Sequence, residues 1–110
     1  MFGLTDTDFE QIKNALIHYP DIEQAIIFGS RAKGNFKPGS DIDLALKGKN
    51  ITETTLMHLK EELEEKLPLP YFFDLLVYHT ISNVQLTQHI DRVGKVIYKK
   101  QKMKAQQSLE

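Results

Sequence analysis

Cysteine is absent from the 110 residues, which excludes disulfides and thiolate-held metals together. An excess of positive charge is absent too. Fourteen Lys and Arg stand against 15 Asp and Glu, and the pI of about 6.4 gives no field of the kind that holds nucleic acid through its phosphates. Direct nucleic-acid binding is therefore not expected, and any phosphate site must be local. No apolar run approaches the roughly 20 residues of a membrane span. The start "MFGLTDTDFEQ" has neither the basic nor the apolar region of a signal peptide, so a cytoplasmic protein without membrane attachment is expected. Repeats and low-complexity segments are missing, and proline occurs four times. What is present is the composition of one globular domain, 41% hydrophobic and 26% charged. A chain of this length buries roughly two-thirds of the surface its unfolded form exposes.

Hydrophobic spacing divides the chain into elements. Leu4, Phe9, Ile12, Ala15, Leu16 and Tyr19 recur at helical intervals, predicting a first helix over about 7–19 with Thr5 or Thr7 as N-cap. "QAIIF" (24–28) reads as a short buried strand running into Gly29. "DIDLAL" (41–46) alternates with period two, placing Ile42, Leu44 and Leu46 on one face and Asp41, Asp43 and Ala45 on the other. Leu56, Leu59, Leu63 and Leu67 predict a helix over about 52–67, with "KEELEEK" as its wet side and Pro68 and Pro70 ending it. "YFFDLLVY" (71–78) predicts a central third strand. Ser82 is then a candidate cap for a helix stopped by Gly94, followed by "KVIY" as a last strand. The order implies an α/β (α+β) domain: a small mixed sheet of three to four strands flanked by helices. The domain is expected to span 1–98, with 99–110 as a flexible Lys-rich tail whose final Leu109 and Glu110 read as a cloning scar.

The chemistry concentrates in "FGSRAKGNFKPGSDIDLAL" (28–46). Asp41 and Asp43, two apart on a strand, leave the same face about 6–7 Å apart. Carboxylates held so close repel, and cations relieve them, as in sites where two Mg²⁺ ions lie about 3.5–4 Å apart. Oxygen-only donors select Mg²⁺ or Mn²⁺ over zinc. Asp74 interrupts an otherwise apolar strand, where an ionised carboxylate costs several kcal/mol unless paired or metal-bound. With strands two and three adjacent, it stands about 4.8 Å from the first pair. Gly29 and Ser30 supply the opposite half, a close backbone approach and free N–H groups at the start of a helical turn.

"GSRAKG", then "SDIDLAL" with ten residues between Ser30 and Asp41, then a lone acid in an apolar strand, resemble the DNA polymerase β-like nucleotidyltransferase superfamily. Within it the chain looks like a minimal nucleotidyltransferase (MNT), the kind paired with a HEPN protein in toxin-antitoxin modules. The resemblance implies Mg²⁺-dependent transfer of a nucleoside monophosphate, AMP from ATP, to a hydroxyl, with release of pyrophosphate. Carried over, Gly29 and Ser30 match the phosphate-gripping pair, and Asp41 and Asp43 match the ligands shared by two ions. Asp74 matches the third acid, which helps hold the catalytic ion and takes the acceptor's proton. The 110 residues lack the extra helical domain of larger relatives. The acceptor is therefore expected on another molecule, a tyrosine of a HEPN toxin by resemblance. Transfer to a small antibiotic-like molecule, and toxin binding without turnover, stay open as alternatives, as does homo-oligomerisation.

Taken singly these residues have plainer accounts. Gly29-Ser30 suits a strand-ending turn, Asp41 and Asp43 a solvated strand face, and Asp74 a buried acid satisfied by arginine or amides. Their joint spacing is what points to a metal-nucleotide site. Arg31 and Lys33 are further candidates to steer the triphosphate, with Lys37 a weaker one. The histidines His18, His58, His79 and His89 show no ligand spacing, and the aromatics of "YFFDLLVY" are expected in the core rather than as a stacking platform.

Overall fold

The structure, a computed structural model, describes residues 1–101. Lys102, Lys104 and the suspected scar at 109–110 lie outside the described residues. Helix α1 (Asp6–Ile17) begins at Thr5, whose hydroxyl accepts from the Asp8 amide at 3.0 Å. It starts one residue earlier than expected and ends two earlier. Strand β1 (Gln24–Phe28) matches its apolar run and passes directly into the single turn of α2 (Gly29–Lys33). Strand β2 covers Ile42–Lys47, so Asp41 stands just ahead of it rather than within it. Helix α3 (Glu53–Glu61) is set by a capping box between Thr52 and Thr55. It continues through a wide π-helical turn over Glu62–Lys66, closed by the Leu67 amide on the Glu62 carbonyl. Strand β3 is Phe73–Val77. Helix α4 (Val84–Val93) is capped by Asn83 rather than Ser82, and β4 (Lys95–Lys99) reaches one residue into the expected tail. Beyond it, the Lys100 amide still donates to the Glu23 carbonyl at 2.8 Å.

The four strands form one mixed sheet in the order β3-β2-β1-β4. β1 runs antiparallel to both β2 and β4, and β2 runs parallel to β3. The parallel pair needs a crossover, which α3 provides. Alternation divides the sheet residues between two cores. Ala25, Ile27, Ile42, Leu44 and Leu46 face Ile12, Ala15 and Leu16 of α1 and Leu59 of α3, with Leu63 of the π turn. Each fully buried leucine or isoleucine here contributes about 1.5–3 kcal/mol. Ile26, Phe28 and Ala45 face the other way, onto Ile90 of α4. Asp43 shares that second face.

Two expectations need correction. β3 is an edge strand, not a central one. Its apolar character reflects cover from α3, whose Lys60 Nζ donates to the Phe73 carbonyl at 2.7 Å while Glu64 accepts the Phe73 amide at 2.7 Å. These side chains occupy the exposed ladder groups at the strand's start, a common protection for a sheet edge. The acidic side of α3 is likewise not simply wet. Glu62 accepts from the Tyr19 hydroxyl at 2.9 Å and meets His18 Nδ1 at 2.8 Å, tying the π turn to the end of α1. Burial and that carboxylate push the Tyr19 phenol up to about 12.

Candidate active site

Strand register assembles the acids. Asp43 is the direct partner of Asp74 on β3 and of Phe28 on β1, so one row across the sheet reads Asp74, Asp43, Phe28. Paired residues share a face, with side chains about 5 Å apart at their base. Gly29 follows Phe28 and adopts φ +73, a conformation that L side chains rarely take. A Cβ there would strike Oδ2 of Asp43. Glycine is thus required twice, by its backbone angle and by the carboxylate against it.

Burial and repulsion act together on Asp43. Desolvation, then the neighbouring Asp74 and Asp41 carboxylates, push it up to about 6. Asp41 and Asp74 are both exposed. The desolvated acid of the set is therefore Asp43, and the expectation of a buried Asp74 is corrected: at the sheet edge its side chain reaches solvent. The described ion pairs involve other residues, so among the described residues none of the three carboxylates is held in an ion pair. Among the described residues no three of His, Cys, Asp and Glu form a ready metal-binding group. Asp43 and Asp74 are brought together as adjacent partners, whereas Asp41 stands at the loop end before β2. The donor set suits a hard divalent cation: oxygen only, and strained by its own charge.

Arg31 is turned inward. It is 3% exposed, and its Nε and Nη2 both donate to the Ser40 carbonyl, at 3.1 and 2.9 Å, while Nη1 donates to the Phe2 carbonyl at 2.8 Å. Its guanidinium lies over the rings of Phe36 and Tyr71, 5.0 and 4.9 Å from their centroids. With three of its N–H groups on backbone carbonyls and two rings beside it, Arg31 is a brace. It fixes α2 to the residue immediately before Asp41. The loop between them is tightened further by a turn in which Ser40 Oγ accepts from the Lys37 amide at 3.0 Å and donates to the Lys37 carbonyl at 2.7 Å. Nothing in the sequence distinguished Arg31 from Lys33, since both precede a glycine-rich loop. Lys33 is exposed on the last turn of α2, as is Lys37 on the loop.

Ser30 is half-buried in the first turn of α2, where backbone N–H groups lack intrahelical partners. On the α4 side, His89 meets the Phe28 ring edge-on, centroids 6.2 Å apart at 81°. The acids themselves line an open face. A cleft of about 630 Å³ between α1 and β4, lined by Lys13, Ile17, Tyr98 and Lys100 among others, contains none of them. Among the described residues no helix is long and apolar enough to cross a membrane.

A four-stranded mixed sheet with a Gly-Ser turn after one strand and acids on the next two is the architecture of a nucleotidyltransferase. Residues 10–103 match the family described as Polymerase beta, Nucleotidyltransferase, and the chain belongs to that family. Solved structures share the fold. A toxin-antitoxin crystal structure with AMP-PNP superposes with a TM-score of 0.68 at 23% identity, over 84% of this chain and 74% of that one. A tri-AMPylated Shewanella oneidensis HEPN toxin in complex with MNT antitoxin gives 0.65 at 19%, over 88% and 74%. A putative nucleotidyltransferase from Sulfolobus solfataricus gives 0.50 at 20%, over 84% and 77%. No curated protein matches the chain.

Proposed function

We propose that this chain is a Mg²⁺-dependent adenylyltransferase that moves AMP from ATP onto a hydroxyl of a partner protein, a HEPN-type toxin, and thereby acts as its antitoxin. The observation that carries the reading is the row Asp74-Asp43 set against Gly29, in a chain of the nucleotidyltransferase family. Support for the partner and the nucleotide comes from fold relatives crystallised as a toxin-antitoxin pair with AMP-PNP and with a tri-AMPylated HEPN toxin.

Asp41, Asp43 and Asp74 would hold two Mg²⁺ ions, or Mn²⁺ in their place. Bound there, the metal supplies neutralisation of charge on the triphosphate and on the departing pyrophosphate. The chain's own groups do the rest. Gly29 lets the backbone come close, and Ser30 Oγ with the first N–H groups of α2 donates to terminal phosphate oxygens. The acceptor oxygen attacks the α-phosphorus, its bond to the β-phosphate oxygen breaks, and pyrophosphate leaves. Asp74, exposed and next to Asp43, accepts the hydroxyl proton. Arg31 positions the residues ahead of Asp41 from behind.

The test is incubation with α-labelled ATP, Mg²⁺ and a HEPN-type protein as the candidate partner. Label should appear on the partner and disappear with the double variant Asp41→Asn, Asp43→Asn. Labelling that persists in that variant would exclude the site. Neutralisation of the toxin by wild type and double variant alike, with no label on either, would instead establish a binding module.

A further inference from the structure

Phe72 is 70% exposed, while Phe73 beside it is 1% exposed in the core. Alternation along the chain therefore sets the Phe72 side chain on the face of Asp74, about 6–7 Å from it at the base. The Phe72 carbonyl accepts from the Ile42 amide at 3.0 Å, which extends the β2–β3 ladder beyond Phe73 and brings Phe72 alongside Asp41. Its ring joins neither apolar cluster and pairs with none of the aromatic rings that stack elsewhere in the described residues. A large apolar side chain left bare between two acids contributes little to folding.

The order of strands says what it faces. Ser30 follows β1, Asp43 lies on β2, and Asp74 lies on β3 with Phe72 immediately ahead of that strand. Phe72 thus stands two strand spacings, about 9.6 Å, from the phosphate side. In an in-line displacement the attacking oxygen enters opposite the leaving group. With pyrophosphate leaving on the Ser30 side, the acceptor arrives over the β3 edge, where Phe72 lies.

We propose that Phe72 is the acceptor-specificity residue: its ring packs against an apolar or aromatic side chain that carries or adjoins the acceptor hydroxyl of the partner protein. This rests on the transferase reading above. The experiment measures steady-state transfer from Mg²⁺-ATP to the HEPN-type protein that wild type labels, by wild type, Phe72→Ala and Phe72→Tyr. Phe72→Ala should raise KM for the acceptor by about tenfold, the scale of one lost aromatic contact, and hold KM for ATP within about twofold. Phe72→Tyr should restore the acceptor KM. Thermal unfolding of the variants checks the fold, which an exposed ring should not disturb. An unchanged acceptor KM in Phe72→Ala overturns the inference alone. A raised KM for ATP instead would place the nucleobase on the ring and also overturn it. No labelling by wild type would sink the transferase reading, and this inference with it.

Discussion

Asp43 and Asp74 are direct partners across the parallel β2–β3 ladder, and Gly29, the residue after β1, leaves room for the Asp43 carboxylate. Two like charges side by side, one partly desolvated, store repulsion that a cation releases. The arrangement costs the metal-free protein stability, so its consequences are measurable in folding as well as in turnover.

Removing the central charge should separate the two readouts. Asp43→Asn is expected to lower AMP transfer by at least about 10³-fold, the scale for loss of a preorganised electrostatic group, while raising the melting temperature of the metal-free protein. Differential scanning calorimetry in chelator, beside a labelled-ATP assay, checks both. A variant that is inactive and also destabilised would contradict the repulsion account.

The pH dependence has a definite sign. Asp43 sits at about 6 in the folded chain against about 3.9 unfolded, so the native state binds more protons between those values. Metal-free stability from this group is therefore highest below about pH 4, falls as pH rises through 4 to 6, and levels off above. Melting temperatures of wild type minus those of Asp43→Asn, measured from pH 4 to 8, should show that decline. Mg²⁺ should stabilise the wild type more at pH 8 than at pH 5.

Gly29→Ala meets two obstacles, a backbone at φ +73 and the Asp43 carboxylate in the position of its methyl group. A cost of about 1–3 kcal/mol is expected from the strained conformation, together with loss of transfer because the carboxylate must move. Urea unfolding and the transfer assay read these separately. Stability equal to wild type would mean that the turn relaxes.

Arg31→Lys should fail to substitute. A lysine can reach one of the two carbonyls but cannot reproduce the fork onto Ser40 or cover the rings of Phe36 and Tyr71. Destabilisation of about 2–4 kcal/mol is expected, as for a broken buried hydrogen-bond network. KM for ATP in the surviving folded fraction should stay near wild type, because the bonds the guanidinium makes run to the Ser40 and Phe2 carbonyls. A selective rise in that KM would restore Arg31 to the phosphate site.

Much of this protein is written in local pattern. The period-two alternation of 41–46, the leucine stripe of α3 and the apolar run of β1 each specify an element, because the face a side chain takes depends only on spacing along the chain. Gly29, Ser30, Asp41, Asp43 and Asp74 could be named as candidates because their types and intervals suit one chemistry. Local pattern could not say that β3 lies at the edge, since cover from α3 makes an edge strand as apolar as a central one. Nor could it tell which acid is desolvated, because Asp43 lies against Gly29, which the pairing of β1 with β2 brings to it from elsewhere in the chain. Arg31 and Phe72 are the two largest differences between sequence and structure. One is a cation drawn inward by carbonyls and rings that include the distant Phe2 and Tyr71; the other is an aromatic turned outward by the same alternation that buries Phe73. The sequence by itself determined the elements and the candidate chemistry. Tertiary structure alone decided which groups share a neighbourhood, because charge repulsion, desolvation and access arise only between segments that folding brings together.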